Sequence, residues 1–210
     1  MKKFFVLAAA AAFALCACEQ DNPTVDGSGT GNNGGNEPKV TGVVLNELSG
    51  SDKFIELYNT TDAEISLEGV YLVKYDSSKE GGKSTTWTGA KDMKIAAKGY
   101  VVLESSDLAD PAEDGNPDYV YESANHVFKG GLSGKKNVFI ELYSAADEKL
   151  SEFKRGEEGA GWNQVSGFNN DKTHTFSRVP NGTGEWAYAD PTKGAENGAK
   201  VADLEHEPEM

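Results

Sequence analysis

Short runs of alternating apolar and polar positions recur along the chain, and one of them occurs twice. Phe54-Ile55-Glu56-Leu57-Tyr58 returns unbroken, eighty-five positions on, as Phe139-Ile140-Glu141-Leu142-Tyr143. The echo continues past both copies, with Asp62 and Ser66 matched by Asp147 and Ser151. A period of two is that of a pleated strand, whose side chains alternate between faces. Ile55 and Leu57 are therefore expected on one face, and Phe54, Glu56 and Tyr58 on the other. Each copy runs through a polar bend (59–63 and 144–148) into a second short apolar run. The pattern predicts two strand-turn-strand units supplying central strands to one β core. Two copies at so long a period do not make a solenoid, which needs more units at a shorter repeat.

The remaining runs are also strand-like. Residues 41–48, 70–75, 85–88, 99–103, 137–143 and 173–179 combine β-branched, aromatic and aliphatic residues between Gly, Asn, Asp and Ser breaks, with weaker candidates at 119–122 and 126–128. Trp186 follows an Asn181-Gly182 turn. Helix is expected only in the N-terminal leader and near 105–112. Strands at this spacing argue for a sandwich or barrel over 40–198, with an acidic tail at 199–210.

The first 39 residues have a different character. Met1-Lys2-Lys3 and the apolar stretch 4–15 form the charged and apolar regions of a signal peptide over 1–17, too short to span a bilayer. Leu15-Cys16-Ala17-Cys18 resembles the lipobox of bacterial lipoproteins, which makes Cys18 the expected site of lipidation and the membrane an expected partner through its acyl chains, palmitate among them. Cys16, at the second lipobox position, departs from the usual residue there. Both cysteines lie at the leader junction, so no disulfide is expected in the body. Glu19 after the cysteine, rather than Asp, points to the outer membrane, facing either the periplasm or the cell surface. Residues 18–39 then read as a lipidated, Gly- and Asn-rich tether with nothing to bury, reaching roughly 25 Å.

Charge narrows the partners. The chain has 20 basic and 34 acidic residues, a formal charge of −14 that becomes −16 if Lys2 and Lys3 leave with the leader. Nucleic acid is bound by neutralising phosphates with Lys and Arg, so no nucleic-acid partner is expected.

The successive blocks carry a resemblance. Leu45-Asn46-Glu47, Phe54-Ile55-Glu56-Leu57-Tyr58-Asn59, the stretch 67–72 around Gly69, Ala97-Lys98-Gly99-Tyr100-Val101-Val102-Leu103 and Gly131-Leu132-Ser133-Gly134 resemble, in order, those of a lamin tail domain. So do Ser177-Arg178-Val179-Pro180-Asn181-Gly182-Thr183-Gly184-Glu185-Trp186 and Asp190-Pro191-Thr192-Lys193-Gly194-Ala195-Glu196-Asn197, although the family usually has Pro where Lys193 stands. The resemblance implies an all-β, immunoglobulin-like sandwich and no reaction of its own. Bacterial members occur as secreted or envelope modules, often appended to hydrolases or nucleases.

Candidate chemistry is sparse. Glu47 and Glu56 on neighbouring strands would suit acid–base work or a cation; the plainer role is to accept hydrogen bonds from turns or pair with a base such as Arg178. Because Glu141 repeats Glu56, the structural role is favoured. Asp107, Asp110, Glu113, Asp114, Asn116 and Asp118 offer oxygen ligands for Ca²⁺ in a Pro- and Gly-bearing loop, though not in EF-hand order. No other cofactor is expected. His126, His174 and His206 lack zinc spacing, and 156–161 lacks the strand-turn-helix context of a phosphate loop. Trp87, Trp162 and Trp186 with Tyr71, Tyr75, Tyr119, Tyr121 and Tyr188 supply aromatic surface or core, Trp162 being the candidate to face a protein or glycan ligand. The expected function is a non-catalytic envelope lipoprotein that binds or scaffolds. The alternative is an accessory to an extracellular nuclease or hydrolase system, or a weak metal-dependent hydrolase itself.

Overall fold

A computed structural model describes residues 42–75, 82–134, 137–156 and 171–208. Within them thirteen strands form two main sheets and a small ribbon. The larger sheet holds β1 (Val43–Ser49), β2 (Phe54–Asn59), β7 (Tyr100–Ser105), β8 (Val127–Phe128), β11 (Thr175–Val179), β12 (Glu185–Ala189) and β13 (Lys200–Asp203), in the order β13-β12-β11-β1-β2-β7-β8. The smaller holds β4 (Tyr71–Tyr75), β5 (Lys83–Thr88), β9 (Val138–Tyr143) and β10 (Lys149–Arg155), in the order β10-β9-β4-β5. The ribbon pairs β3 (Ile65–Ser66) with β6 (Lys94–Ile95). All pairings are antiparallel except β7 with β8. Helix is confined, among the described residues, to short 3₁₀ turns at Ser106–Leu108, Pro111–Glu113 and Ala124–His126. This is an all-β, immunoglobulin-like sandwich.

The two sheets bury Leu45, Leu48, Ile55, Leu57 and Leu103 from one side and Leu72, Ile140, Leu142 and Phe153 from the other. Phe153 stacks on Phe176 at 5.2 Å and meets the edge of Trp186 at 4.8 Å. Trp87 is core, its Nε1 donating to the Asn125 carbonyl at 2.8 Å. Apolar burial of this kind is worth about 25 cal/mol per Å², which explains why strand runs were the strongest signal in the chain.

The repeated pentapeptide is split between the sheets. The first copy is β2, central in the larger sheet; the second is β9, central in the smaller. Ile55 and Leu57, and likewise Ile140 and Leu142, face the core as expected. The two copies lead into different bends. After β9, the Ser144 N–H donates to the Glu148 carbonyl and Asp147 adopts φ 61°, so the chain doubles back as the hairpin β9–β10. After β2, Asn59 donates to the carbonyls of Ala63 and Ala96 and accepts from Thr61, sending the chain into the β3 ribbon instead.

Two expectations are corrected. Residues 119–122 form no strand: the Tyr119 hydroxyl donates to Glu104 and the Tyr121 hydroxyl to the Ser105 and Ser106 carbonyls, so both rings fasten a loop. The domain does not end at 198 before a tail, because β13 pairs with β12 through Tyr188–Ala202 and Ala187–Asp203 and brings Ala202 and Leu204 against the core. The charged flanks of that strand disguise it.

Candidate functional site

Glu47 and Glu56 come together, and the reason is local. Between Leu45 and Glu47 the register of β1 on β2 shifts by one residue, leaving Asn46 as a bulge. The bulge lets Leu45 and Leu48 both reach the core while Glu47 turns outward, directly opposite Glu56. Like charges directly opposite on a sheet repel, yet both carboxylates are fully buried.

Their cover is the segment 190–197, which joins β12 to β13 as a strap over β1, β2 and β7. Three consecutive strap residues each bind a glutamate from a different strand. Thr192 donates its N–H and its hydroxyl to Glu47, at 2.9 and 3.1 Å. Lys193 Nζ reaches Glu104 at 2.9 Å and lies 5.8 Å from the Phe54 ring centroid. The Gly194 N–H donates to Glu56 at 2.6 Å. Asn46 Nδ2 donates to Glu56 at 2.9 Å and Thr175 Oγ1 to Glu47 at 2.7 Å. Three asparagines complete the lattice: Asn46 Oδ1 accepts from the Gly182 N–H, Asn181 Oδ1 from the Asn197 N–H, and Asn197 Nδ2 donates to the Asn46 and Arg178 carbonyls. The strap explains why β2 is buried on both faces.

Electrostatics separates the three glutamates. Burial pushes the Glu56 carboxyl up to about 7, with the Asn46 and Gly194 donors opposing and the Glu47 charge adding to the rise. Burial also raises Glu47 against the pull of its threonine donors. Glu104 is buried too, but Lys193 and Tyr119 outweigh that and hold it below the usual carboxylate range. Glu141, the sequence twin of Glu56, goes the other way from it: burial is overcome by Lys83 at 2.7 Å, Tyr143 at 3.0 Å and Lys149 at 3.5 Å, and its carboxyl lies low.

The expected partnership of Glu47 or Glu56 with Arg178 is not formed. Arg178 lies across the edge of the sandwich, where it donates to the carbonyls of Leu45, Gly184 and Glu152 at 3.0, 3.0 and 3.4 Å and stacks 4.7 Å from the Trp186 ring. Nor is the acidic loop gathered around a cation. Asp110 caps the second 3₁₀ turn through Ala112 N–H, Asp114 ends it at φ 60°, and Asp118 N–H is taken by Asn116. Asp107 and Glu113 sit one in each of two 3₁₀ turns, and among the described residues no three His, Cys, Asp or Glu side chains are grouped to hold a metal. Of these carboxylates Asp110 is the one that caps a turn with its side chain. His174 binds Asp171 at 2.7 Å. Trp162, Cys16 and Cys18 lie outside the described residues.

With the geometry in place, comparison with known families is decisive on one point: the family model described as Lamin Tail Domain matches residues 33–174. The chain belongs to the lamin tail domain family. No curated protein matches it. The match stops just before β11, but the lamin tail domain here is completed by β11, β12, the strap and β13, all joined through the same sheet. Lys193 is the residue that neutralises Glu104. The donors that matter most to this lamin tail domain, Asn46, Asn181, Asn197, Thr175 and Thr192, were not singled out from sequence. Their signal was the placement of Asn46 beside Glu47 and the Asn-rich closing block.

Proposed function

We propose that this protein is a non-catalytic envelope lipoprotein in which a lamin tail domain, tethered through lipid on Cys18, binds a protein or glycan partner. The observation that carries the non-catalytic part is the strap: Glu47 and Glu56, the carboxylate pair suited to acid–base work, are sealed under 190–197 with their oxygens committed to five donors. General acid–base catalysis needs the group within reach of a substrate proton. Binding surface is better provided elsewhere. On the outer face of the smaller sheet Tyr71 stacks on Tyr143 at 5.2 Å, both half-buried, and Lys83, Lys149 and Lys154 stand around Glu141 and Glu152. Rigid aromatics beside charged rims are the usual substance of recognition surfaces.

The anchor is tested by metabolic labelling with a palmitate analogue. The expected result is label on the intact chain, no label on Cys18→Ala, and release of that variant from the membrane fraction. Label persisting on Cys18→Ala overturns the anchor. A glycan array separates the two partner classes: signal lost in Trp162→Ala supports a glycan, and a blank array with the intact chain leaves a protein partner.

A further inference from the structure

The strap is held in an unusual way. None of its residues belongs to the hydrophobic core, and residues 193–196 are exposed on their outer side, so nothing among the described residues is packed above it. A Cβ on Gly194 (φ 80°) would meet nothing within 4 Å, and one on Gly198 nothing closer than 3.9 Å. The middle of the strap, 192–194, is held to the sheet by its bonds to Glu47, Glu56 and Glu104, while its far end is fixed separately by Asn197, bonded to Asn181 and to the Asn46 and Arg178 carbonyls.

That bonding is short of protons. Thr192 Oγ1 has one hydrogen and two acceptors in reach, Glu47 Oε2 at 3.1 Å and Asn197 Oδ1 at 3.2 Å. A hydroxyl can donate only once. Both contacts are satisfied together when Glu47 itself carries a proton on Oε2 and gives it to Thr192. Thr175 Oγ1 likewise has two acceptors for its one hydrogen, Glu47 Oε1 at 2.7 Å and the Ala189 carbonyl at 3.3 Å, while the Ser177 hydroxyl can donate to it at 3.0 Å. The groups hydrogen-bonded to the pair are neutral. The ionisable groups around it, among the described residues, are Asp52 on the β1–β2 turn, Glu104 and Tyr100 on β7, and Asp190, Lys193 and Glu196 on the strap, with His174 3.9 Å from Asp190. The cation in that group, Lys193, is paired with Glu104.

We propose that segment 190–196 is a proton-held latch hinged at Asn197, closed while the Glu47–Glu56 pair shares one proton and loosened when that proton leaves. Opening admits water to both carboxylates, which then ionise in the ordinary range, so the open form binds fewer protons than the closed one. Opening is therefore favoured as pH rises from about 4.5, the ordinary Glu range, towards about 7, where Glu56 ionises in the closed form, and gains nothing further above it. The released strap uncovers the Phe54 ring and the β2–β7 face beside it. The change would be a local one, an opening well below the cost of global unfolding.

The test is amide hydrogen exchange on the full chain between pH 5 and 8.5, each rate corrected for its intrinsic pH dependence. Protection of the Thr192 and Gly194 amides is expected to fall by about tenfold per pH unit between pH 5 and 7 and then level off, while the Leu142 amide on β9 stays protected. In Glu56→Gln, which removes one of the two acids of the pair, the fall in strap protection should shrink; Glu47→Gln, which removes the other, serves as the second variant. Flat protection in the unaltered chain, an equal fall at Leu142, or an unchanged fall in both variants overturns the latch.

Discussion

Replacing Arg178 with alanine is expected to lower the melting temperature by about 10 °C. The guanidinium donates to carbonyls in both sheets, Leu45 on β1 and Glu152 on β10, and to Gly184 in the turn before β12. It thereby closes the edge where the two sheets meet, helped by Trp186 Nε1, which donates to the same Glu152 carbonyl at 3.2 Å. Truncation takes the guanidinium from the partly buried Leu45 and Gly184 carbonyls, leaves Glu152 to Trp186 alone, and removes the stack on Trp186. Hydrogen bonds to charged groups are worth about 1.5–3 kcal/mol each, less when water can replace part of the loss. A total near 3–4 kcal/mol is reasonable for the half-buried site, and in a domain of this size each kcal/mol moves the melting temperature by about 2–4 °C. Arg178→Lys should recover little, because an ammonium cannot span three carbonyls that a planar fork reaches. Thermal melts followed by circular dichroism check both variants. A loss below 2 °C for Arg178→Ala would show that the clamp is ornamental.

The second large effect is on the pH dependence of stability. Glu56 titrates near 7 when folded and near 4.5 when unfolded, so between those values the folded chain holds a proton that the unfolded chain has lost. Its contribution to stability is complete below about pH 4.5 and disappears as pH rises through about 7. At about 1.4 kcal/mol per pH unit, the upper bound is about 3 kcal/mol. Because Glu47 shares the burial, the protons belong to the pair. Glu104, Glu141 and Glu152, held low by their lysines, act in the opposite sense and weaken the fold only at acid pH. The comparison that isolates the pair is the unaltered chain against Glu56→Gln in urea melts at pH 5 and pH 8. The difference in stability between the two proteins should shift by about 2–3 kcal/mol in favour of Glu56→Gln on going to pH 8. A constant difference would mean that Glu56 is solvated as an ordinary carboxylate.

Much of the fold was legible because apolar alternation reports burial directly. Ile55, Leu57, Ile140 and Leu142 declared their faces, and the ordered blocks from Leu45 to Asn197 resembled the family to which the chain belongs. The features that the pattern did not carry are instructive. The pentapeptide repeat implied two like units, but the bends after them share only Asp62/Asp147 and Ser66/Ser151 and are capped differently, by Asn59 in one and Ser144 in the other; one copy leads into a ribbon and the other into a hairpin. Period-two reasoning placed Phe54 and Glu56 on the face away from the core without revealing that a distant segment covers it. The bulge at Asn46 is invisible to alternation because it consists of a broken period. The carboxylates of 107–118 read as a ligand set by composition, which does not report whether side chains converge, and among the described residues no three of them are grouped. Strand β13 was lost in an acidic terminus, since Val201 and Ala202 stand between Lys200 and Asp203.

One pentapeptide places its glutamate in two opposite electrostatic roles, sealed among neutral donors in β2 and ion-paired in β9. The most direct measurement is a carbon-13 NMR titration of the side-chain carboxyls of Glu56 and Glu141 in the same sample. The expected result is a midpoint near 7 for Glu56 and one below the usual glutamate range for Glu141. Coincident midpoints near 4.5 would contradict the strap as a seal over the Glu47–Glu56 pair.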